Sequence, residues 1–257
     1  MRPARPGGAD ARAGGGEMRH IATISGKDSL TMALLLKERE PQLPMEYVFA
    51  DTGVEHPSTY AFLEEAREFL PELVVLRPIR SFADRMDAWG GFLPSKRNRW
   101  CTKELKIWSV QRYIGRDEVV LYVGLRADEE GRLGALTRRN EQVRYPLREH
   151  GIGLREVRTL IQRLGVSLPS RRGCFLCWGQ KRWEWVKLGQ EYPELFARAI
   201  EYEQMSPCSD FTFIRGLSLP ELWEWREKII ERAERLDSSY WSGEDDDGNS
   251  VCRIWCR

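Results

Sequence analysis

A short polar loop between an apolar strand and a helix constrains the fold of this chain more than any other feature. Residues 25–29 are Ser-Gly-Lys-Asp-Ser, with a mostly apolar stretch at 21–24 before them and apolar residues at helical spacing over 30–36 after them. A glycine lets the backbone approach a ligand, while a serine hydroxyl, a lysine and the first amides of a helix bind anions. This pattern predicts a phosphate-binding loop made of Ser25, Gly26, Lys27, Asp28 and Ser29. An ordinary strand-to-helix turn is the alternative, and the spacing is not that of the GxxxxGK[ST] loop.

Two further strands are followed by polar loops. Asp51, Thr52 and Gly53 follow a predicted strand at 45–50, and Gly124, Arg126 and Asp128 follow another at 118–123. A helix is predicted over 58–70 and a short strand over 73–76. The alternation of strands and helices predicts an α/β fold with a doubly wound parallel sheet, in which the three loops meet at one edge across a ligand. Taken singly, the residues of each loop are more typical of a solvated turn than of a functional site.

Four motifs in this order carry a family resemblance. They are Ser-Gly-Lys-Asp-Ser, Phe-Ala-Asp-Thr-Gly at 49–53, Arg-Trp-Cys-Thr-Lys-Glu-Leu-Lys at 99–106 and Val-Gly-Leu-Arg-Ala-Asp-Glu at 123–129. Over residues 21–203 the chain resembles the phosphoadenosine phosphosulfate (PAPS) reductase family, which belongs to the adenine-nucleotide α-hydrolases with a pyrophosphate-binding (PP) loop. The resemblance implies that the sheet binds an adenine nucleotide, either ATP or a sulfonucleotide (PAPS or adenylyl sulfate, APS). One position departs from the family: Ile24 stands where a serine is usual, so Thr23 or Ser25 would supply that hydroxyl.

The cysteines form a second pattern. Cys174 and Cys177 are a CxxC pair, whose thiolates are able to converge on one metal, and Cys101 and Cys208 would complete a four-thiolate site. Such a soft donor set suits zinc or an iron–sulfur cluster, and unligated buried or redox-active thiols are the remaining interpretation. The family resemblance implies [4Fe-4S], since several members hold such a cluster with cysteines placed like Cys101, Cys174 and Cys177.

Positive charge is concentrated near Cys101. Arg99, Lys103 and Lys106 are predicted to neutralise substrate or nucleotide phosphates, and interleaved tryptophans would stack on bases of a nucleic acid. A solvated face over an aromatic core is the alternative, and it is the favoured interpretation for Trp183 and Trp185. The net charge of +1 excludes an overall basic surface, so any contact with nucleic acid depends on local patches.

We expect three parts along the chain: a disordered lead over 1–17, a PP-loop α/β domain over 18–150, and a helical region over 151–257 that packs on it and carries the CxxC pair. No apolar run approaches the roughly 18 residues of a membrane span, and the first 20 residues lack the apolar centre of a secretory signal. The expected location is cytoplasmic, with no membrane partner. The sequence leaves the oligomeric state open.

Three functions compete. In the first, ATP is attacked at its α-phosphate, pyrophosphate leaves, and sulfur displaces the adenylate, as in the tRNA-thiolation and DNA-phosphorothioation enzymes that the chain resembles. Lys27, Asp28 and a Mg²⁺ held by Asp28 or Asp51 would act there, with a nucleic acid or nucleotide as acceptor and a sulfur-donor protein as partner. In the second, a thiolate such as Cys256 reduces PAPS or APS to sulfite, although the family's terminal Glu-Cys-Gly-Leu-His motif is absent. The third is a non-catalytic nucleotide- and cluster-binding module. The first is favoured because the Lys27-Asp28 pair matches ATP-splitting relatives.

Overall fold

The computed structural model describes residues 18–129, 138–167, 173–207 and 211–236. Its centre is a five-stranded sheet in which every neighbouring pair of strands is parallel. The strands are β1 (Arg19–Thr23), β2 (Met45–Ala50), β3 (Val74–Leu76), β4 (Val119–Tyr122) and β5 (Glu141–Arg144). Their spatial order is β3-β2-β1-β4-β5. The predicted doubly wound α/β fold is therefore confirmed.

Ten α-helices and one π-helix surround the sheet in the described part of the chain. They are α1 (Lys27–Arg39), α2 (Pro57–Phe69), α3 (Phe82–Ala88), the π-helix (Cys101–Ile107), α4 (Trp108–Ile114), α5 (Pro146–Glu149), α6 (Leu154–Arg163), α7 (Arg182–Glu191), α8 (Pro193–Gln204), α9 (Leu219–Glu224) and α10 (Arg226–Leu236). Within these described ranges, no helix combines the length and apolar character that a membrane span requires.

Both faces of the sheet are buried, and side chains alternate between them with the period of two that a strand imposes. Ala22, Phe49 and Tyr122 pack on one face together with residues of α1, α2 and α6. Ile21, Val48 and Leu121 pack on the other face together with residues of α4. Short apolar strands of this kind form the interior of a three-layer α/β domain.

A third apolar cluster joins the segment between β3 and α4 to the C-terminal helices. Phe82 lies against Trp100 with 5.0 Å between ring centroids, and Trp185 lies 5.0 Å from Phe213. Trp185 is fully buried and Trp183 is only 8% exposed, so their interpretation as core residues is confirmed. This cluster holds the π-helix and the CxxC loop against one another.

Three elements differ from the sequence-based expectation. Strand β5 was not predicted, because Glu-Gln-Val-Arg contains a single strongly apolar residue and is an edge strand. The helical region expected over 151–257 is divided between α7 and α8, since Pro193 begins α8 and disfavours helical backbone at Tyr192. It is divided again at Trp225, between α9 and α10.

Candidate nucleotide-binding site

The loop after β1 is organised by Ser29. Its hydroxyl accepts hydrogen bonds from the amides of Ser25 and Gly26, at 2.8 and 3.1 Å, and donates one to the Gly26 carbonyl at 2.9 Å. The first hydrogen bond within α1 runs from Leu30 N to Gly26 O, so the first-turn amides point out of the helix N-terminus. Ile24 is fully buried, and Ser29 supplies the hydroxyl that braces this loop. The loop therefore presents a helix N-terminus beside the half-buried Lys27, which is the geometry that attracts a phosphate.

The loop after β4 touches the first turn of α1 at Gly124. A Cβ atom built on Gly124 would lie 2.9 Å from both N and Cα of Ser29 and 3.0 Å from the carbonyl carbon of Asp28. These are backbone atoms within a helix, which do not move aside as a flexible side chain does. Only glycine lets the two loops come this close.

Gly124→Ala is accordingly expected to lower the free energy of unfolding by about 1–3 kcal/mol, because overpacking forces backbone shifts. Nucleotide affinity should fall as well, because α1 is displaced at its N-terminus. Gly26→Ala is the matched control for stability alone, since no atom of the described residues lies within 4 Å of its added Cβ; its cost as a cap residue is under about 1 kcal/mol. Urea unfolding and titration with a fluorescent ATP analogue measure both effects, and wild-type stability in Gly124→Ala would contradict the argument.

Arg126 gathers three carboxylates at the same place. One terminal nitrogen of its guanidinium (Nη1) lies 3.2 and 3.1 Å from the two oxygens of Asp28, and Nε donates to Asp128 at 2.8 Å. Glu129 lies 4.0 Å from the other terminal nitrogen (Nη2), and its carboxylate also accepts the Arg126 amide at 3.0 Å. Arg148 of α5 donates to the carbonyls of Arg126 and Glu129 and holds the loop in place. The Arg126 side chain is 3% exposed, so its charge acts in a poorly solvated environment.

The electrostatics of this cluster favour its charged form. Burial by itself would lower the pKa of the Arg126 guanidinium. The carboxylates of Asp28, Asp128 and Glu129 outweigh this effect, so the pKa of Arg126 is raised. Burial also opposes ionisation of Asp128, yet the amide of Leu154 at the start of α6 and the Arg126 guanidinium hold the pKa of Asp128 below its usual value. A buried guanidinium that faces three carboxylates therefore lies in the loop after β4.

The loop after β2 is built around Asp51. One carboxylate oxygen accepts from the Gly53 amide at 2.8 Å and from the Tyr60 hydroxyl at 2.9 Å, and the other lies 3.6 Å from Arg77. Gly53 has a φ of +76°, a conformation that side chains other than glycine rarely adopt. Burial and the hydrogen bond to Asp51 raise the pKa of Tyr60, so it remains a donor.

Strand order brings these loops to one edge. The order reverses between β1 and β4, and in open parallel sheets ligands bind in the crevice at the carboxyl ends of the strands on either side of such a point. The loops after β1 and β4 flank that crevice, in contact at Gly124 and Asp28. The Asp51 loop follows the adjacent strand β2, which pairs with β1 from Met45 to Val48.

The three basic residues near Cys101 that were predicted to bind phosphates lie in three different environments. Arg99 is half-buried and its carbonyl accepts from the amides of Thr102 and Lys103. Lys103 is exposed, with its ammonium 5.7 Å from the Trp108 ring centroid. Lys106 is buried, and its ammonium lies 3.4 Å from Glu55, whose side chain is 1% exposed.

Glu55 connects the Asp51 loop to the CxxC loop. Its carboxylate accepts from the Thr52 hydroxyl at 2.7 Å and pairs with Lys106 of the π-helix, while its backbone forms an antiparallel bridge with Cys174. The other carboxylate oxygen is buried and has no hydrogen-bond partner among the residues that the structure describes. A buried carboxylate thus lies between the candidate nucleotide site and the thiols.

The CxxC residues form a tight turn. The Leu176 amide donates to the Cys174 sulfur at 3.3 Å, and the Cys177 amide donates to the Cys174 carbonyl at 3.3 Å. Cys101 and Cys174 are half-buried and Cys177 is buried. Thiols suit a soft metal, but in the described ranges no three His, Cys, Asp or Glu residues are arranged to hold a metal ion. The four-thiolate centre stays a prediction, as does the Mg²⁺ site at Asp28 or Asp51.

Two of the predicted site cysteines, Cys208 and Cys256, lie outside the described residues. Two residues that the sequence analysis did not single out also contribute to the site: Glu55 and Arg148. Glu55 lies two residues after the predicted Gly53, whereas Glu129 already belongs to the motif at 123–129. Arg148 follows the unpredicted strand β5, so no sequence signal pointed to it.

An open parallel sheet with strand-to-helix loops at its switch point defines an α/β domain of the doubly wound class, in which ligands bind at that edge. Residues 19–146 match the phosphoadenosine phosphosulfate reductase domain. Through this domain the chain belongs to that family.

Several relatives share much of the sequence. An uncharacterized 37.8 kDa protein of Escherichia phage 186 is 26% identical, covering 86% of this chain and 86% of the phage protein. An uncharacterized protein of Methanocaldococcus jannaschii is 26% identical over 81% of this chain and 46% of its own length. An uncharacterized nin region protein of Escherichia phage lambda is 29% identical over 45% of this chain and 51% of its own length. The chain therefore spans most of the first relative and about half of the other two.

Two solved structures are similar in part. Phosphoadenylyl-sulfate reductase from Candida auris, in a phosphate complex, has a TM-score of 0.47 at 17% identity, covering 59% of this chain and 75% of the reductase. The U34-tRNA thiolase NcsA from Methanococcus maripaludis, with its [4Fe-4S] cluster, has a TM-score of 0.41 at 16% identity, covering 85% of this chain and 81% of the thiolase.

Proposed function

We propose that the chain is an ATP pyrophosphatase that activates an acceptor by adenylation for sulfur transfer. The observation that carries the proposal is the junction of the Lys27 helix N-terminus with the buried Arg126–Asp28 pair at the switch point of the sheet. This junction combines the partial positive charge of the helix N-terminus with the Lys27 ammonium, which suits a polyphosphate, and the Arg126–Asp28 pair fixes the neighbouring loop against the helix. Family membership supports an adenine nucleotide as the ligand.

In this proposal an acceptor oxygen attacks the α-phosphorus of ATP. The bond from that phosphorus to the oxygen bridging to the β-phosphate breaks, and pyrophosphate leaves with the negative charge. Lys27 and the first-turn amides of α1 stabilise the departing charge, because they are fixed before the reaction begins. Asp28 positions Arg126, since both of its oxygens face that guanidinium. A sulfur nucleophile then displaces AMP from the adenylated acceptor.

The products formed from ATP labelled in its α-phosphate test the proposal. With the acceptor and a sulfur donor present, we expect labelled AMP and no labelled ADP, and a separate pyrophosphate assay should give an equal amount of pyrophosphate. Lys27→Met should lower kcat by about 10²- to 10³-fold, the usual loss when one donor to a developing charge is removed. Lys37→Met is the matched control, because Lys37 lies at the opposite end of α1 and donates to the Phe69 carbonyl.

The family of the matched domain supports a second candidate, a sulfonucleotide reductase. In that reaction a thiolate attacks the sulfur of PAPS or APS, and a reductant releases sulfite. Sulfite and the corresponding adenosine phosphate, formed from PAPS or APS with a dithiol reductant and without pyrophosphate release from ATP, would replace the first proposal with this one. Nucleotide binding with neither reaction would indicate the non-catalytic module.

A further inference from the structure

Positive charge is strongly localised in one segment of this nearly neutral chain. Residues 77–116, here called the basic arm, contain ten Lys and Arg against three Asp and Glu, a net charge of +7. The remaining residues therefore carry a net charge of −6. The arm connects β3 to the end of α4 and includes α3 and the π-helix. Such asymmetry in a chain of net charge +1 indicates a local binding surface for a polyanion.

Most of these charges face solvent. Lys106 is buried against Glu55, and the half-buried Arg85 pairs with Glu104 at 3.1 Å. The exposed cations of the arm are Arg77, Arg80, Lys96, Arg97, Lys103, Arg112 and Arg116. The arm therefore keeps an excess of positive charge at its surface after its internal pairs are formed.

Exposed tryptophans are interleaved with these cations. Trp108 is 40% exposed, and the Arg85 guanidinium and the Lys103 ammonium lie 5.1 and 5.7 Å from its ring centroid. Trp89 is 38% exposed, and its indole nitrogen donates to the same Glu104 that pairs with Arg85. Each indole is thus held in place by neighbouring side chains while a substantial part of it remains open to solvent.

The π-helix determines how the side chains of Lys103 and Trp108 lie relative to each other. The Trp108 amide donates to the Lys103 carbonyl, five residues back, so the two side chains lie on one face of the helix. In an α-helix, positions five apart do not face each other. Arg112 follows Trp108 by one α-helical turn, and its guanidinium donates to the Arg77 carbonyl. Arg77 in turn lies 3.6 Å from Asp51 of the nucleotide site.

We propose that a continuous strip of the basic arm, made of Arg77, Arg112, Trp108, Lys103, Arg85 and Trp89, binds a single-stranded nucleic acid. This inference rests on the proposed function in one respect, because the bound strand would be the acceptor for adenylation. The exposed cations Arg77, Lys103 and Arg112 hold the phosphates, and the indole faces stack on unpaired bases, a combination typical of single-strand binding surfaces. The half-buried Arg85 pairs with Glu104 and lies against Trp108. A duplex presents its phosphates, but its base faces are stacked in its interior. It would therefore contact the cations of this surface and not the indole faces.

Fluorescence anisotropy of a labelled 12-nucleotide single strand, compared with a duplex of the same sequence and without ATP, tests this inference. We expect the single strand to bind more tightly, with affinity falling as salt is raised. Trp108→Ala should weaken binding between about fivefold and about 100-fold, the range for loss of one stacked base. The double variant Lys103→Gln/Arg112→Gln should reduce the salt dependence by about 0.7 in log–log slope for each lost phosphate contact.

Trp225→Ala is the matched control, since Trp225 is 56% exposed with the Lys228 ammonium 5.2 Å from its ring, but it lies between α9 and α10. It should bind the strand like the wild type. Equal affinity for the duplex and the single strand, or unchanged binding in both arm variants, would overturn the inference. Absence of strand binding in a protein that still binds ATP would also overturn it while leaving the proposed function intact. Binding of the strand by a protein that does not bind ATP would overturn the proposed function and leave this inference intact.

Discussion

Arg126→Met is expected to lower the free energy of unfolding by about 3–5 kcal/mol, the usual cost of removing one partner from a buried ion pair. The Arg126 side chain is 3% exposed and lies among the carboxylates of Asp28, Asp128 and Glu129. Methionine matches part of its volume but leaves those carboxylates uncompensated. Nucleotide binding should be lost as well, because the loop after β4 would no longer be tied to α1.

The loss of stability in Arg126→Met should depend on pH, and the lowered pKa of Asp128 gives the direction. In the wild type the pKa of Asp128 is lowered, so its contribution to stability is present above the pKa of the unfolded chain and is lost as pH falls through the folded value. That contribution is small, since the Asp128 side chain is 45% exposed. Arg126→Met lacks the hydrogen bond and the charge through which Arg126 lowers the pKa of Asp128, so this part of the deficit relative to wild type should shrink as pH decreases. Urea unfolding at several pH values measures it.

Arg144→Met is the matched control for Arg126→Met. Arg144 also bridges two carboxylates, at 2.8 Å from Glu40 and 2.6 Å from Glu149, but its side chain is 35% exposed. Its loss should cost no more than about 1 kcal/mol, as for exposed ion pairs, and should leave nucleotide binding intact. Equal costs at the two arginines would show that burial of the Arg126 cluster is not what stabilises the loop.

Glu55→Gln is expected to cost about 3–5 kcal/mol by the same reasoning, because it leaves the Lys106 ammonium buried without its carboxylate. Glu55 joins three parts of the molecule: Thr52, the π-helix through Lys106, and the CxxC loop through Cys174. The buried Cys177 thiol should therefore become more reactive, which a thiol reagent such as DTNB measures.

A double-mutant cycle isolates the Glu55–Lys106 pair. Lys106→Met alone should also be strongly destabilising, whereas Glu55→Gln/Lys106→Met should lose much less than the sum, because no uncompensated charge remains. Glu64→Gln serves as the control at an exposed pair, since Glu64 lies 3.6 Å from Arg67 with 78% of its side chain exposed. It should change stability by less than about 1 kcal/mol. Additive effects of the two buried substitutions would refute the pairing.

The apolar pattern of the sequence was sufficient to locate the three central strands of the sheet. Strand β2 lies at Met45–Ala50 as predicted, and β1 and β4 lie within two residues of the prediction, because short apolar runs are buried on both faces in a parallel sheet. Strand β5 escaped prediction because Glu-Gln-Val-Arg gains its strand conformation from pairing with β4. The π-helix escaped too, since no residue in Cys101–Ile107 marks a change of hydrogen-bond register.

The order of strands and loops along the chain determined that polar residues after β1, β2 and β4 gather at one edge of the sheet, because parallel strands end on the same side. Only the tertiary structure decided the partners of those residues. Arg126 meets Asp28 across 98 positions of sequence, and Lys106 is turned inward to Glu55 instead of outward to a phosphate. Burial and ion pairing depend on which segments pack together, and that packing has no local signal in the sequence.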